Sequence, residues 1–203
     1  MHILTRDEII RRLDTQSSSQ LHIDPILDRE SQMGEVSIDL RLGYDFYVSV
    51  LTRNPTIDVV STSNGGYGIP THFQSTRRDI GDKFILYPGQ VVLGTTLEYL
   101  ALPANILAEI GVRSSYARLG MSLNSFAQPG YRGCVSLEIF NHGNIPIDLV
   151  VGSRVVQARL YEISTETEYL TRDRKYHAVV RPTLSKANQD PEIEKLMKYC
   201  RLH

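Results

Sequence analysis

The sequence has little that would indicate a secreted or membrane-spanning protein. Its 203 residues include no tryptophan and only two cysteines, Cys134 and Cys200, which lie far apart in the chain. No secretory leader precedes the first polar residues, so we expect these cysteines to be reduced thiols of a cytoplasmic protein. No apolar stretch approaches the roughly 18 residues that a membrane-spanning helix needs, so no membrane partner is expected.

Neither sign of charge is in excess. The chain has 22 Lys plus Arg and 23 Asp plus Glu, which gives a formal net charge of −1. Non-specific binding of nucleic acid depends on a basic surface, so we expect no nucleic-acid partner. Any recognition of phosphate groups has to come from a local cluster of residues.

Several catalytic signatures are also missing. The chain has no Cys-x-x-Cys to pair with a His-x-Glu, so it lacks the signature of the zinc-dependent nucleobase deaminases. Its six histidines are scattered without metal-ligand spacing, so we expect no protein-bound zinc. The glycine-rich motifs of P-loop and dinucleotide-binding proteins are absent, as is the G-x-S-x-G turn of serine hydrolases.

The pattern of apolar residues favours a mainly β protein with a short N-terminal helix. Thr5 can cap a helix over about residues 5–14, because Asp7 and Glu8 follow in the first turn and apolar residues recur at helical spacing. From there to about residue 165, short alternating runs are bounded by turn residues, which is typical of an all-β barrel or sandwich. The chain is long enough for one domain with a substantial core.

Three segments depart from the strand pattern. Residues 61–68, STSNGGYG, together with the chain as far as Asp79, are expected to form a long surface loop. Residues 112–120, VRSSYARLG, are expected to form one or two helical turns that end at Gly120. The chain after about residue 165 is charged, and Pro191 suits the first position of a terminal helix.

The first candidate site is the turn that begins with Arg113, Ser114 and Ser115. Unpaired N–H groups at a helix start, an arginine and two hydroxyls together favour an anion, and phosphate above all. The alternative is that the serines only cap the turn and the arginine is solvated. Arg118 follows Arg113 by five residues, so the two side chains do not share one helical face and would contact different groups, perhaps in different subunits.

The second candidate is Glu138, a carboxylate in the apolar run CVSLEIF. Strand alternation puts alternate residues on opposite faces, with Cys134, Ser136 and Glu138 on one face and Val135, Leu137 and Ile139 on the other. If the second set faces the core, Glu138 points outward and needs no function. If its face lines a cleft, partial desolvation would raise its pKa toward the range in which a carboxylate can pass protons.

Five segments in this order carry a family resemblance. They are SIDLRLG (37–43), YPGQVVLGTTLEYLALP (87–103), VRSSYARLGM (112–121), PGYRGCVSLEIFNHG (129–143), and KY with PTLSK (175–176 and 182–186). Together they resemble the dCTP deaminase family of the trimeric dUTPase-like superfamily, over about residues 1–190. The resemblance implies a distorted β-barrel or jelly roll that forms a homotrimer with each active site at a subunit interface. Residues 1–165 would form this domain, and residues 166–203, the C-terminal arm, would close over a site.

The resemblance also implies a role for each site residue. Arg113, Ser114 and Ser115 would hold the nucleotide triphosphate, with a magnesium ion bound by the phosphates and water. Glu138 would take a proton from the water that attacks C4 of cytosine, and would deliver protons to N3 and to the departing ammonia. The other implied residues are Arg118 beside this carboxylate, Ser114 and the backbone carbonyl of Ala127 near the water, and Gln128, Tyr169, Lys175 and Tyr176 around the nucleotide.

The implied function is hydrolytic deamination of dCTP to dUTP in pyrimidine deoxynucleotide metabolism. The segment 121–128, MSLNSFAQ, is shorter than in most members, and Gln128 cannot act as the base that an aspartate of the same hairpin provides in dUTPases. Hydrolysis of dUTP is therefore less favoured. Two alternatives stay open: a dUTP pyrophosphohydrolase or bifunctional enzyme that yields dUMP, and a non-catalytic nucleotide-binding regulatory homologue.

Overall fold

The computed structural model describes residues 1–17, 20–54, 56–60, 68–169 and 174–200. Strands account for most of the regular structure in these ranges. The strands are β1 (His2–Ile3), β2 (His22–Asp24), β3 (Ile38–Arg41), β4 (Asp45–Ser49), β5 (Phe73–Arg77), β6 (Lys83–Leu86), β7 (Val91–Ala101), β8 (Ile106–Val112), β9 (Met121–Ser122), β10 (Asn124–Ala127), β11 (Arg132–Asn141), β12 (Ile147–Val150) and β13 (Arg154–Glu162). The α-helices are α1 (Arg6–Asp14), α2 (Arg29–Gln32), α3 (Ser114–Ala117) and α4 (Pro191–Cys200), and short 3-10 helices span Ile69–His72 and Ala187–Gln189.

The strands pair antiparallel in three sheets within the described ranges. The first sheet has the order β1-β13-β8-β10, and β3 also pairs with β13. The second has the order β5-β4-β7-β11-β9, with β2 pairing β7, and the third joins β12 to β6. The expectation of a mainly β fold with a short N-terminal helix is confirmed. The pairings recorded for these strands do not close one continuous barrel.

One cluster of buried apolar side chains joins the three sheets, and it fixes which side chains of β11 face solvent. Leu137 and Ile139 are fully buried in this cluster, together with Leu40 of β3 and Leu149 of β12. Burial of each such side chain contributes about 1.5–3 kcal/mol. Because successive side chains of a strand point to opposite faces, Glu138 is directed away from the core.

The two helical turns expected at α1 and α3 are confirmed. The backbone N–H and the hydroxyl of Thr5 both donate to the Glu8 carboxylate at 2.9 Å, and α1 begins at the next residue. The turn that contains α3 ends at Gly120, where φ is +92°. A Cβ atom at Gly120 would lie 2.8 Å from the backbone nitrogen of Gly143, so glycine is required for close approach as well as for φ.

The expected surface loop between 61 and 79 is wrong in its second half. Residues 61–67 lie outside the described ranges. From Ile69 the chain forms a 3-10 turn and then β5, which pairs with β4 over the whole of Phe73–Arg77. The run FQSTR is short and mostly polar because β5 is an edge strand with one paired neighbour, so its alternation is weak.

The expected alternation along β11 is wrong at one point. The register between β11 and β7 shifts between Cys134 and Ser136, so Cys134 and Val135 are both buried. The backbone N–H of Val135 donates instead to the hydroxyl of Thr96 at 2.9 Å. A β-bulge of this kind redirects side chains. Cys134 therefore does not share the face of Ser136 and Glu138.

The C-terminal arm runs back across the start of β11 in its own chain. The N–H of Ala178 donates to the carbonyl of Arg132, and the N–H of Cys134 donates to the carbonyl of Val179, both at 2.8 Å. Farther along, Arg181 Nε lies 3.5 Å from Asp45 Oδ2. After this contact the chain continues to α4, which begins at Pro191, and no helix in the described ranges is long and apolar enough to cross a membrane.

Gly133 lies directly beneath the arm. Its φ is +140°, and a Cβ atom there would lie 2.6 Å from the carbonyl oxygen and 3.0 Å from the nitrogen of Val179. A side chain at this position would therefore collide with the backbone of the arm. Only glycine combines this φ with so close an approach.

Candidate active site

A cavity of about 380 Å³ opens where β10, β11 and the C-terminal arm meet. This volume is within the range of about 300–1,000 Å³ that is typical of small-molecule sites. We call it the Glu138 cleft. Its lining combines apolar and hydroxyl side chains with one carboxylate: Phe73, Leu93, Ser125, Phe126, Tyr131, Val135, Ser136, Glu138, Tyr176, Thr183 and Ser185.

Glu138 extends from the middle of β11, opposite Leu93 of β7. Its side chain is open to solvent, yet the walls of the cleft desolvate it enough to raise its pKa above the ordinary value, and a hydrogen bond from its own backbone opposes the rise. Glu138 therefore lies in a cleft, as a functional role for this carboxylate requires. Its role as a base stays a prediction.

Strand β10 forms one wall beside Glu138. The hydroxyl of Ser125 donates to the carbonyl of Ser136 at 2.8 Å, which ties β10 to β11. The next residue, Phe126, keeps 49% of its surface exposed and lines the cleft. An exposed aromatic ring beside a carboxylate can stack on a flat heterocycle. Both residues lie in the short segment 121–128.

The arm covers part of the cleft of its own chain. Tyr176 lines the cleft, and its phenol oxygen accepts from the N–H of Lys186 at 2.9 Å. The Thr183 hydroxyl is buried and has no partner among the described residues. Lys175 is not among the residues that line the cleft, and its amine bonds to Asp190 at 2.5 Å and to the carbonyl of Lys186.

The turn that begins at Arg113 is not among the residues that line the Glu138 cleft. Ser114, Ser115 and Arg118 are exposed, and Arg118 bonds only weakly to the carbonyl of Ser114 at 3.3 Å. Arg113 is half-buried and points toward β3, where its Nε lies 2.9 Å from the carboxylate of Asp39. Within one chain the structure thus brings Glu138 and Tyr176 together and keeps the Arg-Ser-Ser turn outside their cleft.

Three other predicted residues lie near the cleft without lining it. Ala127 is buried at the end of β10, and Gln128 is exposed, with its carbonyl accepting from the N–H of Tyr131 at 3.0 Å. Tyr169 packs against the core, and the guanidinium of Arg174 lies 5.0 Å from the centre of its ring. Partial burial raises the pKa of the Tyr169 phenol.

Some residues of the cleft were not expected from the sequence. Thr183 and Ser185 lie in the quoted segment PTLSK, and Ser125 and Phe126 lie in the short segment, so each was inside a region already marked for attention. Phe73 had no such signal, because its strand was expected to be a loop. The described part of the chain contains no group of three or more His, Cys, Asp or Glu side chains that could hold a metal ion.

A family model described as dCTP deaminase-like matches residues 3–163, which is most of the chain. The chain belongs to the dCTP deaminase-like family. Among curated members, it is 34% identical over 200 residues to the "dCTP deaminase, dUMP-forming" of Methanothermobacter thermautotrophicus, covering 95% of this chain and 98% of that protein. It is also 34% identical over 187 residues to the "dCTP deaminase" of Halorubrum lacusprofundi, covering 89% of this chain and 90% of that protein.

Among solved structures, this family member is similar to the 2'-deoxycytidine 5'-triphosphate deaminase of Agrobacterium tumefaciens. The TM-score is 0.57 and the sequence identity 27%, over 78% of this chain and 47% of that chain. The present chain thus spans about half the length of that structural neighbour, whereas it covers 98% of the relative from Methanothermobacter thermautotrophicus. The resemblance noted from the sequence is confirmed.

Proposed function

We propose that this protein catalyses the hydrolytic deamination of dCTP to dUTP and ammonia. One observation carries the proposal: Glu138 extends into a cleft that desolvates its carboxylate and surrounds it with hydroxyl groups. A raised pKa suits a carboxylate that must both accept and donate protons near neutral pH. Membership of the dCTP deaminase-like family supports the choice of reaction.

The chemistry assigns two proton transfers to Glu138. Its carboxylate takes a proton from water as the water oxygen adds to C4 of the cytosine, and passes that proton to N3. It then takes the second proton of the added hydroxyl and delivers it to the amino group, so that ammonia leaves and a C4 carbonyl remains. Because the same carboxylate is restored at the end, no further proton donor is needed.

The proposed site needs a second subunit. Arg113, Ser114 and Ser115 would bind the triphosphate, but in one chain they lie outside the Glu138 cleft. A homotrimer in which the turn of one subunit faces the cleft of the next would complete the site, and it would bring Arg118 beside Glu138. The separation of the two halves within one chain supports this arrangement.

Magnesium would enter this site bound to the nucleotide. Arginines and serines dominate the proposed phosphate site, and its one buried carboxylate, Asp39, is already paired with Arg113. This set of side chains fits a polyphosphate that carries its own cation better than it fits a bare cation. When bound, the cation neutralises part of the phosphate charge, while the chain supplies the arginine and hydroxyl groups that orient the phosphates.

A second candidate is a bifunctional enzyme that continues to dUMP. The relatives from Methanothermobacter and from Methanobrevibacter smithii are both named dUMP-forming. We favour dUTP as the product because the exposed amide of Gln128 cannot serve as a base for attack on a phosphate. Pyrophosphate release from dCTP or dUTP would decide for the second candidate. Tight binding of deoxynucleotides without any turnover would indicate a regulatory homologue instead.

The test is a product assay with dCTP and magnesium. We expect ammonia release and the ultraviolet change from cytosine to uracil, and we expect Glu138→Gln to lower the rate by about 10²–10⁴-fold, as removal of a general base does. Glu109→Gln is the matched control, because Glu109 is an exposed carboxylate on β8 paired with Arg159 and Tyr161. Full activity in Glu138→Gln would refute the assignment of the base.

A further inference from the structure

The side chain of Arg113 is held from two directions. Its Nε lies 2.9 Å from Asp39 Oδ2, and one of its Nη1 hydrogens is donated to the carbonyl of Arg154 at 2.9 Å. The contact with Asp39 is an ion pair and only the contact with Arg154 is a hydrogen bond, so four of the five N–H donors of the guanidinium remain. These four have no hydrogen-bond partner in the part of the chain that the structure describes, although the position of the group is held by Asp39 and Arg154.

Asp39 is a buried carboxylate in β3, within the sequence segment SIDLRLG. Only 8% of its surface is exposed, and Arg154 Nη1 lies 3.8 Å from the oxygen that contacts Arg113. Burial raises the pKa of Asp39, while Arg113, Arg154 and a hydrogen bond from Gln157 oppose the rise. A buried carboxylate is costly without such partners, so Asp39 and the arginines depend on one another.

This arrangement matters for binding because a free arginine side chain has many rotamers. Ordering one on binding costs conformational entropy, which weakens the binding. The ion pair with Asp39 orders the Arg113 side chain in the folded protein before any ligand binds. Two guanidiniums share one carboxylate, so the local charge stays positive and attracts an anion.

We propose that Asp39 is a positioning residue that holds the Arg113 guanidinium so that its free N–H donors bind the polyphosphate of the substrate. The inference rests on the proposed function, in which the turn at Arg113 binds the triphosphate of a cytosine deoxynucleotide. Asp39 contacts no substrate itself and acts through Arg113. The competing interpretation is that the pair only ties β3 to the turn and contributes to folding.

Steady-state kinetics of Asp39→Asn separate the two interpretations. We expect the KM for dCTP to rise about tenfold, the size of one charged hydrogen bond, while kcat changes less than about twofold. Inorganic tripolyphosphate, which has only the phosphate part of the substrate, should bind more weakly by the same factor in calorimetry. Glu162→Gln is the matched control, since Glu162 is a partly buried partner of Arg12 at 2.6 Å, and it should leave both constants unchanged.

A double-mutant cycle supplies the decisive comparison. In an Arg113→Gln background, Asp39→Asn should add less than about twofold to the loss of tripolyphosphate affinity, because the residue it acts through is gone. Arg113→Lys keeps the charge but loses the two-directional hold, so it should resemble Asp39→Asn even where Asp39→Asn folds poorly. Unchanged tripolyphosphate affinity in Asp39→Asn and Arg113→Lys, or fully additive losses in the cycle, would overturn the proposal. The measurement of tripolyphosphate binding needs no turnover. A wild-type protein that binds dCTP without releasing ammonia would therefore contradict the proposed function and leave this inference testable.

Discussion

Replacing Gly133 with alanine should detach the C-terminal arm from β11. The Cβ atom of alanine would lie 2.6 Å from the carbonyl oxygen of Val179, a distance that two such atoms cannot keep. The arm has to move, and the movement breaks the two backbone hydrogen bonds that join Ala178 to Arg132 and Cys134 to Val179. Tyr176, which lines the Glu138 cleft, would move with the arm.

The size of the effect follows from these contacts. Two backbone hydrogen bonds at about 1 kcal/mol each stabilise the docked arm by about 2 kcal/mol. Their loss raises the detached fraction roughly 30-fold, since each 1.4 kcal/mol is a factor of about ten. The φ of +140° at this position adds about 1–3 kcal/mol of backbone strain whether or not the arm is docked. This strain should lower the melting temperature by about 2–12 °C.

Limited trypsin digestion measures the detachment, because the arm has cleavage sites after Arg174, Lys175 and Lys186. We expect cleavage of the arm to be accelerated about 30-fold in Gly133→Ala at temperatures well below unfolding. Gly111→Ala is the matched control: a Cβ atom at Gly111 in β8 meets nothing within 4 Å, so digestion should match the wild type. An arm as resistant in Gly133→Ala as in the wild type would refute the reasoning.

Two further predictions concern buried polar groups. Thr96→Val leaves the Val135 N–H without its acceptor and should lower the free energy of unfolding, measured in urea, by about 1–3 kcal/mol. Thr96→Ser keeps a hydroxyl and should lower it less. Equal losses in the two variants would contradict the role of the hydroxyl. Burial raises the pKa of Glu98 from 4.5 to about 7. Between pH 4.5 and 7 the folded state therefore holds a proton that the unfolded state has released. Because of this difference, the free energy of unfolding falls as the pH rises from 4.5 to 7. The loss in the free energy of unfolding should reach about 3 kcal/mol between pH 4.5 and 7, and the Glu98→Gln variant should not show this loss. If the free energy of unfolding of the variant depended on pH as it does in the wild type, Glu98 would be ionised in the folded state.

Local signals predicted much of the fold. Thr5 with Glu8 gave the start of α1, and Gly120 gave the end of the turn at α3, because each feature depends on residues a few positions apart. The strand β5 was missed because an edge strand made of FQSTR has little apolar alternation, and its pairing with β4 is a long-range contact that no local pattern contains. The bulge at Cys134 depends likewise on a hydrogen bond from the N–H of Val135 to the hydroxyl of Thr96, which lies 39 residues away from Val135 in the sequence.

The candidate site was predictable to the extent that its residues carry charge. Glu138 and the Arg-Ser-Ser turn are unusual where they occur, so the sequence drew attention to both. Phe73 and Leu93 line the cleft as ordinary apolar residues, and only the three-dimensional arrangement distinguishes them from the core. Asp39 was likewise hidden in the segment SIDLRLG, because its importance lies in a contact with Arg113, 74 positions farther along the chain.

The central claim is that Glu138 of one subunit and Arg113 of another form a single deaminating site. Mixed trimers of Glu138→Gln and Arg113→Gln chains, co-expressed with different affinity tags and purified by both, test it directly. Each variant alone should be nearly inactive on dCTP. Every trimer that carries both tags has one of its three interfaces with an intact Glu138 facing an intact Arg113, so the mixed trimers should recover roughly a third of the wild-type ammonia release. Mixed trimers as inactive as either parent would contradict the shared site.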